Sequence, residues 1–372
     1  MTVLESVHAD HGASFLNRSG RRVVEDYGRP ARAARAVRNA VGTIELGFAV
    51  VVATGRDRVA VVDDAVTNSV PGADPADAEG EGCYALVLDD EGRIDADLYA
   101  FNAGERLLLF GPPGKGAWLA ETLESTAAGR NATVEVATDE FATFGLVGPD
   151  AAGKVAGTLH GARTPSSPLS FVRGDLDDVG VTVVAGEGLT GEREYLVVAG
   201  AGDAERVFET LLVRGDNAAP FGYRTWETLT LEAGTPLFPA ELRGRSPATV
   251  GLESAVAGTG AGPAGTEGDE TRDADRRLVA LRPEVVPPAG AGVFSGDTGV
   301  GEITRAAESP TLGEPVALAV IHDAVADSGG NEKRNGATDL TVRVDGEAVA
   351  AEIVTRPLVD GSVRSGRLPT AE

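Results

Sequence analysis

The chain has 372 residues, room for two or three domains of roughly 100–200 residues each, and 42% of it is hydrophobic, enough for sizeable cores. A formal net charge of −24 argues against a nucleic-acid surface, because phosphates would be repelled rather than neutralised. Of 33 basic residues only Lys115, Lys154 and Lys333 are lysine, a balance that reads as a halophilic surface of hydrated carboxylates. The lone Cys83 excludes an intrachain disulfide framework and any cysteine-cluster metal site, and reads as a small core residue in a strand. The N-terminus lacks the basic start and apolar core of a signal peptide. The longest apolar run, residues 46–53, is far short of the ~20 residues of a membrane span. The expectation is a soluble, cytoplasmic, monomeric protein with no membrane contact.

Residues 28–30 read as a turn leading into an Ala/Arg-rich helix that ends near residue 41, and residues 50–54 as a β-branched strand. Residues 56–66 read as a helix and 67–82 as a long acidic loop. Residues 83–88, 96–101 and 107–110 suggest a small antiparallel sheet, with 89–93 turning between its first two strands. A helix over 117–123 follows, then a strand at 133–138 and a short helix and strand over 139–148. Strands at 179–184 and 195–198 flank the turn 186–192. An amphipathic helix covers 204–212, and another, 226–233, ends at Gly234, a natural C-cap.

Residues 258–275 are acidic, Gly-rich and of low complexity, which reads as a linker. Beyond it the pattern changes to short strands at 278–281, 292–295, 300–304, 316–321, 340–344 and 347–355, the spacing of a small β-barrel or sandwich. The expected domains are therefore 1–256, a linker at 257–275, and 276–372.

The stretch GRIDADLYAF, residues 92–101, is the most informative. Strand alternation places Asp95 and Asp97 on one face, with Ile94, Ala96 and Leu98 on the other. Pointed at a pocket, such carboxylates can serve as a general base or hold a ligand; pointed at water, they are acidic surface. FGPPGKGAW at 110–118 fails as a phosphate loop, since Gly116 follows the lysine where Ser or Thr would hold Mg²⁺. His8, His11, His160 and His322 are too scattered to predict a metal site.

Several stretches in register resemble one family, the glycine-cleavage T-protein (aminomethyltransferase) together with the YgfZ-type folate-binding proteins. TGRDRVAVVDDAVTNSV at 54–70, with Asn68, looks like the family's strand–helix unit ending in Thr-Asn/Asp. GRIDADLYAF is similar to its Gly-x-x-x-Asp-Asp-Leu strand, and GLTGE at 188–192 to its Tyr-Thr-Gly-Glu turn. LEAGTPLF at 231–238 and VGEITRAAESPTLGEPVALAVI at 300–321 look like its helix end and its C-terminal barrel signature.

The resemblance implies an α+β fold of two mixed subdomains round a central cavity that holds tetrahydrofolate, plus a small C-terminal β-barrel. Glu192 falls on the position the resemblance makes the pterin acceptor, with Thr190 and Gly191 shaping its turn. Asp97 falls on the second carboxylate of the Asp-Asp-Leu strand, the position associated with polarising the reacting nitrogen of the folate; Ala96 stands at the first, and Asp95 lies one place earlier. Asn68 and Asp95 complete the implied folate contacts. The chain departs from the pattern where Gly186-Glu187-Gly188 replaces Arg-Thr-Gly, where Leu189 replaces the aromatic residue, and where Thr230 replaces the arginine before Leu-Glu-Ala-Gly. Three functions stay open: transfer of a one-carbon unit from a lipoyl carrier protein to tetrahydrofolate, a non-catalytic folate-binding factor supporting iron–sulphur proteins or tRNA modification, and a ligand-free scaffold.

Overall fold

The computed structural model describes residues 2–72, 80–215, 217–256, 275–330 and 340–369. The linker expected over 257–275 lies outside these residues except for Asp275, and so does the 73–79 part of the acidic loop.

Two α+β halves share one sheet of twelve strands. In the first half, Gly80–Leu88, Ile94–Asn102, Arg106–Gly111, Ala49–Thr54 and Thr133–Val136 are neighbours in that order. In the second, Ala219–Pro220, Gly42–Leu46, Phe141–Val147, Glu194–Gly200, Val179–Ala185 and Ser170–Leu176 run side by side, with Leu159–His160 pairing the last. The halves are stitched where Ser170 and Phe171 pair with Glu81 and Gly80. The chain also crosses between them within two residues, Gly47 and Phe48, which part the strands Gly42–Leu46 and Ala49–Thr54.

The strand Gly80–Leu88 begins three residues before the expected one, inside a run of glycines that reads as loop. A Cβ at Gly80 would come within 2.3 Å of the Phe171 ring, and one at Gly82 within 2.3 Å of Phe101. The glycines are there because aromatic rings lie flat on the strand, a packing that local sequence does not reveal. The hairpin Ser14–Arg18/Arg21–Asp26 and the strands Gly42–Leu46 and Ser170–Leu176 are further elements that the sequence pattern does not predict. The helices Pro30–Asn39, Arg58–Asp63, Gly116–Thr126, Ala204–Val213 and Tyr223–Glu232 lie where apolar spacing places them.

The C-terminal strands close into a six-stranded barrel, Arg276–Pro283, Glu314–His322, Thr298–Ser309, Gly292–Ser295, Leu340–Val344 and Glu347–Val354 in order round it. Its inner face carries Leu281, Val293, Ile303, Ala319 and Val342, while Leu278, Val316, Leu318 and Val320 pack outward against Leu231 of the helix Tyr223–Glu232. The barrel is therefore seated on the Leu-Glu-Ala-Gly helix end. Polar bonds fix it there: Ser309 Oγ donates to Glu232 Oε1 at 2.6 Å, and Arg305 Nε donates to both oxygens of the fully buried Glu241 at 2.9 and 3.1 Å. No helix among the described residues is long and apolar enough to cross a membrane.

Candidate functional site

Asp97 sits in the middle of the strand Ile94–Asn102 and is 8% exposed. Its neighbours along the strand, Tyr99 and Phe101, belong to the core cluster shared by both halves, so Asp97 faces the centre of the molecule rather than water. It lies on a pocket of about 80 Å³ walled by Phe48, Phe110, Leu189, Tyr223, Trp226 and Phe238. The first half supplies Asp97 and Phe110, the crossing between the halves Phe48, the second half Leu189, and the helix Tyr223–Glu232 Tyr223 and Trp226. Tyr84 on the adjacent strand donates its hydroxyl to Asp97 Oδ2 at 3.1 Å. Burial raises the pKa of both Tyr84 and Tyr99 well above the usual phenol value, so both stay protonated donors.

Asp95 does not join it. A β-bulge shifts the register, Val87 opposing Ala96 and Leu88 opposing Ile94, and leaves Asp95 as the extra residue. Ile94 accordingly packs with Tyr99 and Phe101, on the face that strict alternation gives to the aspartates. Asp95 is half-buried and does not line the Asp97 pocket. Alternation fails here because a bulge adds one residue without changing the composition of the strand.

Glu192, Thr190 and Gly191 lie in the turn before the strand Glu194–Gly200. Gly191 has φ of +79°, the left-handed conformation the turn requires. The Glu192 carboxylate, 3% exposed, is engaged within the protein: Oε1 accepts from Arg38 Nη1 at 2.9 Å and Oε2 from the Ser362 N–H at 3.1 Å. The Thr190 carbonyl also accepts from Arg38 Nη1, at 2.7 Å. Asn68 is half-buried and donates its amide to the Tyr84 carbonyl at 2.7 Å, which steadies the strand carrying Tyr84.

Two further carboxylates face the centre from the same turn. Glu194 begins the next strand, 5% exposed, and takes the Leu189 N–H on Oε2 at 3.1 Å. Burial, with the nearby Glu187 adding to it and the Leu189 bond opposing it, pushes its pKa up to about 7. Burial likewise raises Glu187, whose Oε2 is buried with no hydrogen-bond partner. Both line a neighbouring cavity of about 200 Å³ with Val363 and Arg364. Glu194 escapes a motif-based reading because the Thr-Gly-Glu signature ends two residues upstream. The available signal is strand parity, since Glu194, Leu196 and Val198 share the face turned to the common core.

Thr230, which stands where the resemblance expects an arginine, is contacted by an arginine from the barrel. Arg305, from the barrel strand Thr298–Ser309, donates Nη1 to Thr230 Oγ1 at 3.0 Å and Nη2 to the Thr235 carbonyl at 2.7 Å. Arg18, stacked over Tyr223 and paired with Glu227, lies on the same pocket as Asp97. Cys83 is half-buried in its strand, and burial pushes the thiol up to about 12, which leaves it a packing residue rather than a nucleophile.

Comparison with known proteins agrees with this architecture. The family model described as the GCVT N-terminal domain matches residues 4–259, and that of the glycine cleavage T-protein C-terminal barrel domain matches residues 276–360. The chain is 33% identical over 378 residues to the aminomethyltransferase of Cutibacterium acnes, covering 96% of this chain and 97% of that one. It is 29% identical over 385 residues to the probable aminomethyltransferase of Halobacterium salinarum, covering 96% and 98%. The crystal structure of glycine cleavage system aminomethyltransferase T from Bartonella henselae superposes with a TM-score of 0.82 at 20% identity, covering 98% and 99%, which shows the common fold. This chain belongs to the glycine cleavage T-protein, or aminomethyltransferase, family.

Proposed function

We propose that the protein transfers an aminomethyl-derived one-carbon unit from a lipoyl carrier protein to tetrahydrofolate, with Asp97 as the catalytic carboxylate. The observation that carries this reading is a buried carboxylate on a pocket walled by six large apolar or aromatic side chains and built from both halves. Aromatic walls suit a planar bicyclic ring. A buried carboxylate suits a reacting amine, because it can accept or hold a proton where water is excluded.

The residues present fit a folate. Tetrahydrofolate supplies the nitrogens that accept the one-carbon unit. The pterin carries a planar set of N–H donors, and on the adjoining cavity Glu194 and the unpartnered Oε2 of Glu187 offer acceptors for them. Glu192 holds the turn rather than the ring, since Arg38 and the Ser362 N–H already engage both its oxygens. Asp97 raises the nucleophilicity of the reacting nitrogen by taking its proton.

Two measurements test this. Calorimetric titration of tetrahydrofolate, in molar KCl to suit the acidic surface, should give micromolar binding that is lost in Glu194→Gln. Turnover with an aminomethyl-loaded lipoyl carrier should release ammonia and form methylene-tetrahydrofolate. Folate binding without turnover would favour a non-catalytic folate-binding factor, and no binding would favour a scaffold.

A further inference from the structure

The segment that follows the barrel returns to the site. Residues 361–367 run along the turn 186–193: Ser362 N–H donates to Glu192 Oε2 at 3.1 Å, Val363 N–H to the Gly191 carbonyl at 3.1 Å, and Gly366 N–H to the Glu187 carbonyl at 2.8 Å. In return, Arg193 N–H donates to Ser362 Oγ at 2.9 Å. Close approach is built in, since a Cβ at Gly361 would stand 1.9 Å from the Gly191 carbonyl oxygen. From this anchored segment the Arg367 side chain enters the Asp97 pocket and is 4% exposed.

There it meets the candidate catalytic group directly. Arg367 Nη1 lies 3.0 Å from Asp97 Oδ2, Nη2 donates to the Tyr99 hydroxyl at 2.8 Å, and the guanidinium stacks 4.2 Å from the Tyr84 ring centre. The grip is incomplete, because Arg367 Nε is buried with no hydrogen-bond partner. Two sides of this contact matter chemically. A guanidinium is planar and presents a fork of N–H donors between aromatic faces, the same recognition features as a planar nitrogen heterocycle. While paired, Asp97 Oδ2 faces the guanidinium and Tyr84 rather than a substrate nitrogen.

We propose that Arg367 is an internal occupant of the substrate pocket, and that a folate binds by displacing it and loosening the segment that carries it. Asp97 is then released for chemistry only when the ligand has entered. This inference rests on the folate reading above. It predicts that apparent folate affinity in the wild type is reduced by the fraction of molecules in which Arg367 holds the pocket.

The test is calorimetric titration of tetrahydrofolate into the wild type, Arg367→Met, and a chain ending at Arg364. The last keeps the Ser362 and Val363 contacts and decides the matter if the Met variant does not fold. Both variants should bind about tenfold tighter or better, the factor expected if the occupied state outweighs the open one ten to one. In the wild type, tetrahydrofolate should also speed tryptic cleavage after Arg367, which is shielded without it. Folate binding that is unchanged or weaker in both variants would overturn this inference and leave the folate reading standing. Absence of binding in all three proteins would overturn the folate reading, and this inference with it.

Discussion

Arg38 and Glu192 form a buried ion pair at 2.9 Å, and the same guanidinium reaches Glu232 Oε2, also at 2.9 Å. Through Glu232 the link continues to Ser309 and Thr311 of the barrel. One side chain thus ties the helix Pro30–Asn39, the Thr-Gly-Glu turn, the Leu-Glu-Ala-Gly helix end and the barrel together. Glu192, which the resemblance makes a ligand contact, is one of the residues joined here.

Replacing Arg38 should therefore be costly. Arg38→Met leaves two buried carboxylates without their shared cation, an arrangement that costs about 3–5 kcal/mol. A large fall in the urea midpoint checks this. Glu192→Gln keeps hydrogen bonding to Arg38 and the Ser362 N–H, and should cost only about 1–3 kcal/mol with little change in folate affinity.

Glu194 makes stability and binding depend on pH in opposite senses. Its carboxyl holds a proton up to about pH 7 in the fold, against 4.5 when unfolded. The native state therefore binds more protons between those values, so stability should fall as pH rises from about 4.5 to 7 and level off above. The drop is roughly 3 kcal/mol for this group. Folate donors want the ionised form, so affinity should rise through pH 7 in the wild type. In Glu194→Gln both trends should flatten, read by urea unfolding and by titration at pH 6 and pH 8.

Asp97→Asn should leave the fold in place, because the amide can still accept from Tyr84 and Arg367, while turnover drops by about 10²–10⁴. Methylene-tetrahydrofolate formation measured beside a melting curve separates the two effects. Near-normal turnover would move the chemistry to another group.

The turn itself is testable at Gly191, which has φ of +79° and where an added Cβ would stand 3.4 Å from Arg38 Nη1. Gly191→Val should lose about 1–3 kcal/mol from backbone strain. It should also weaken folate binding by shifting the strand that begins at Glu194; normal affinity in this variant would detach the turn from the site.

From sequence alone the family and the mixed α+β body with its β-barrel were legible, and Asp97 stood out as a candidate acid. These rest on short-range signals: apolar periodicity, a glycine at a helix end, and motifs read in order. Tertiary structure decided the rest. It showed that a bulge removes Asp95 from the pocket, that Arg38 and Ser362 engage Glu192, and that Glu194, two residues on, is a second buried acid. It also brought Arg305 beside Thr230 and Arg367 onto Asp97, pairs far apart along the chain. The physical reason is common to all of them. Burial and ion pairing depend on which distant strands and side chains meet, and a linear pattern carries only the neighbours along one strand or helix.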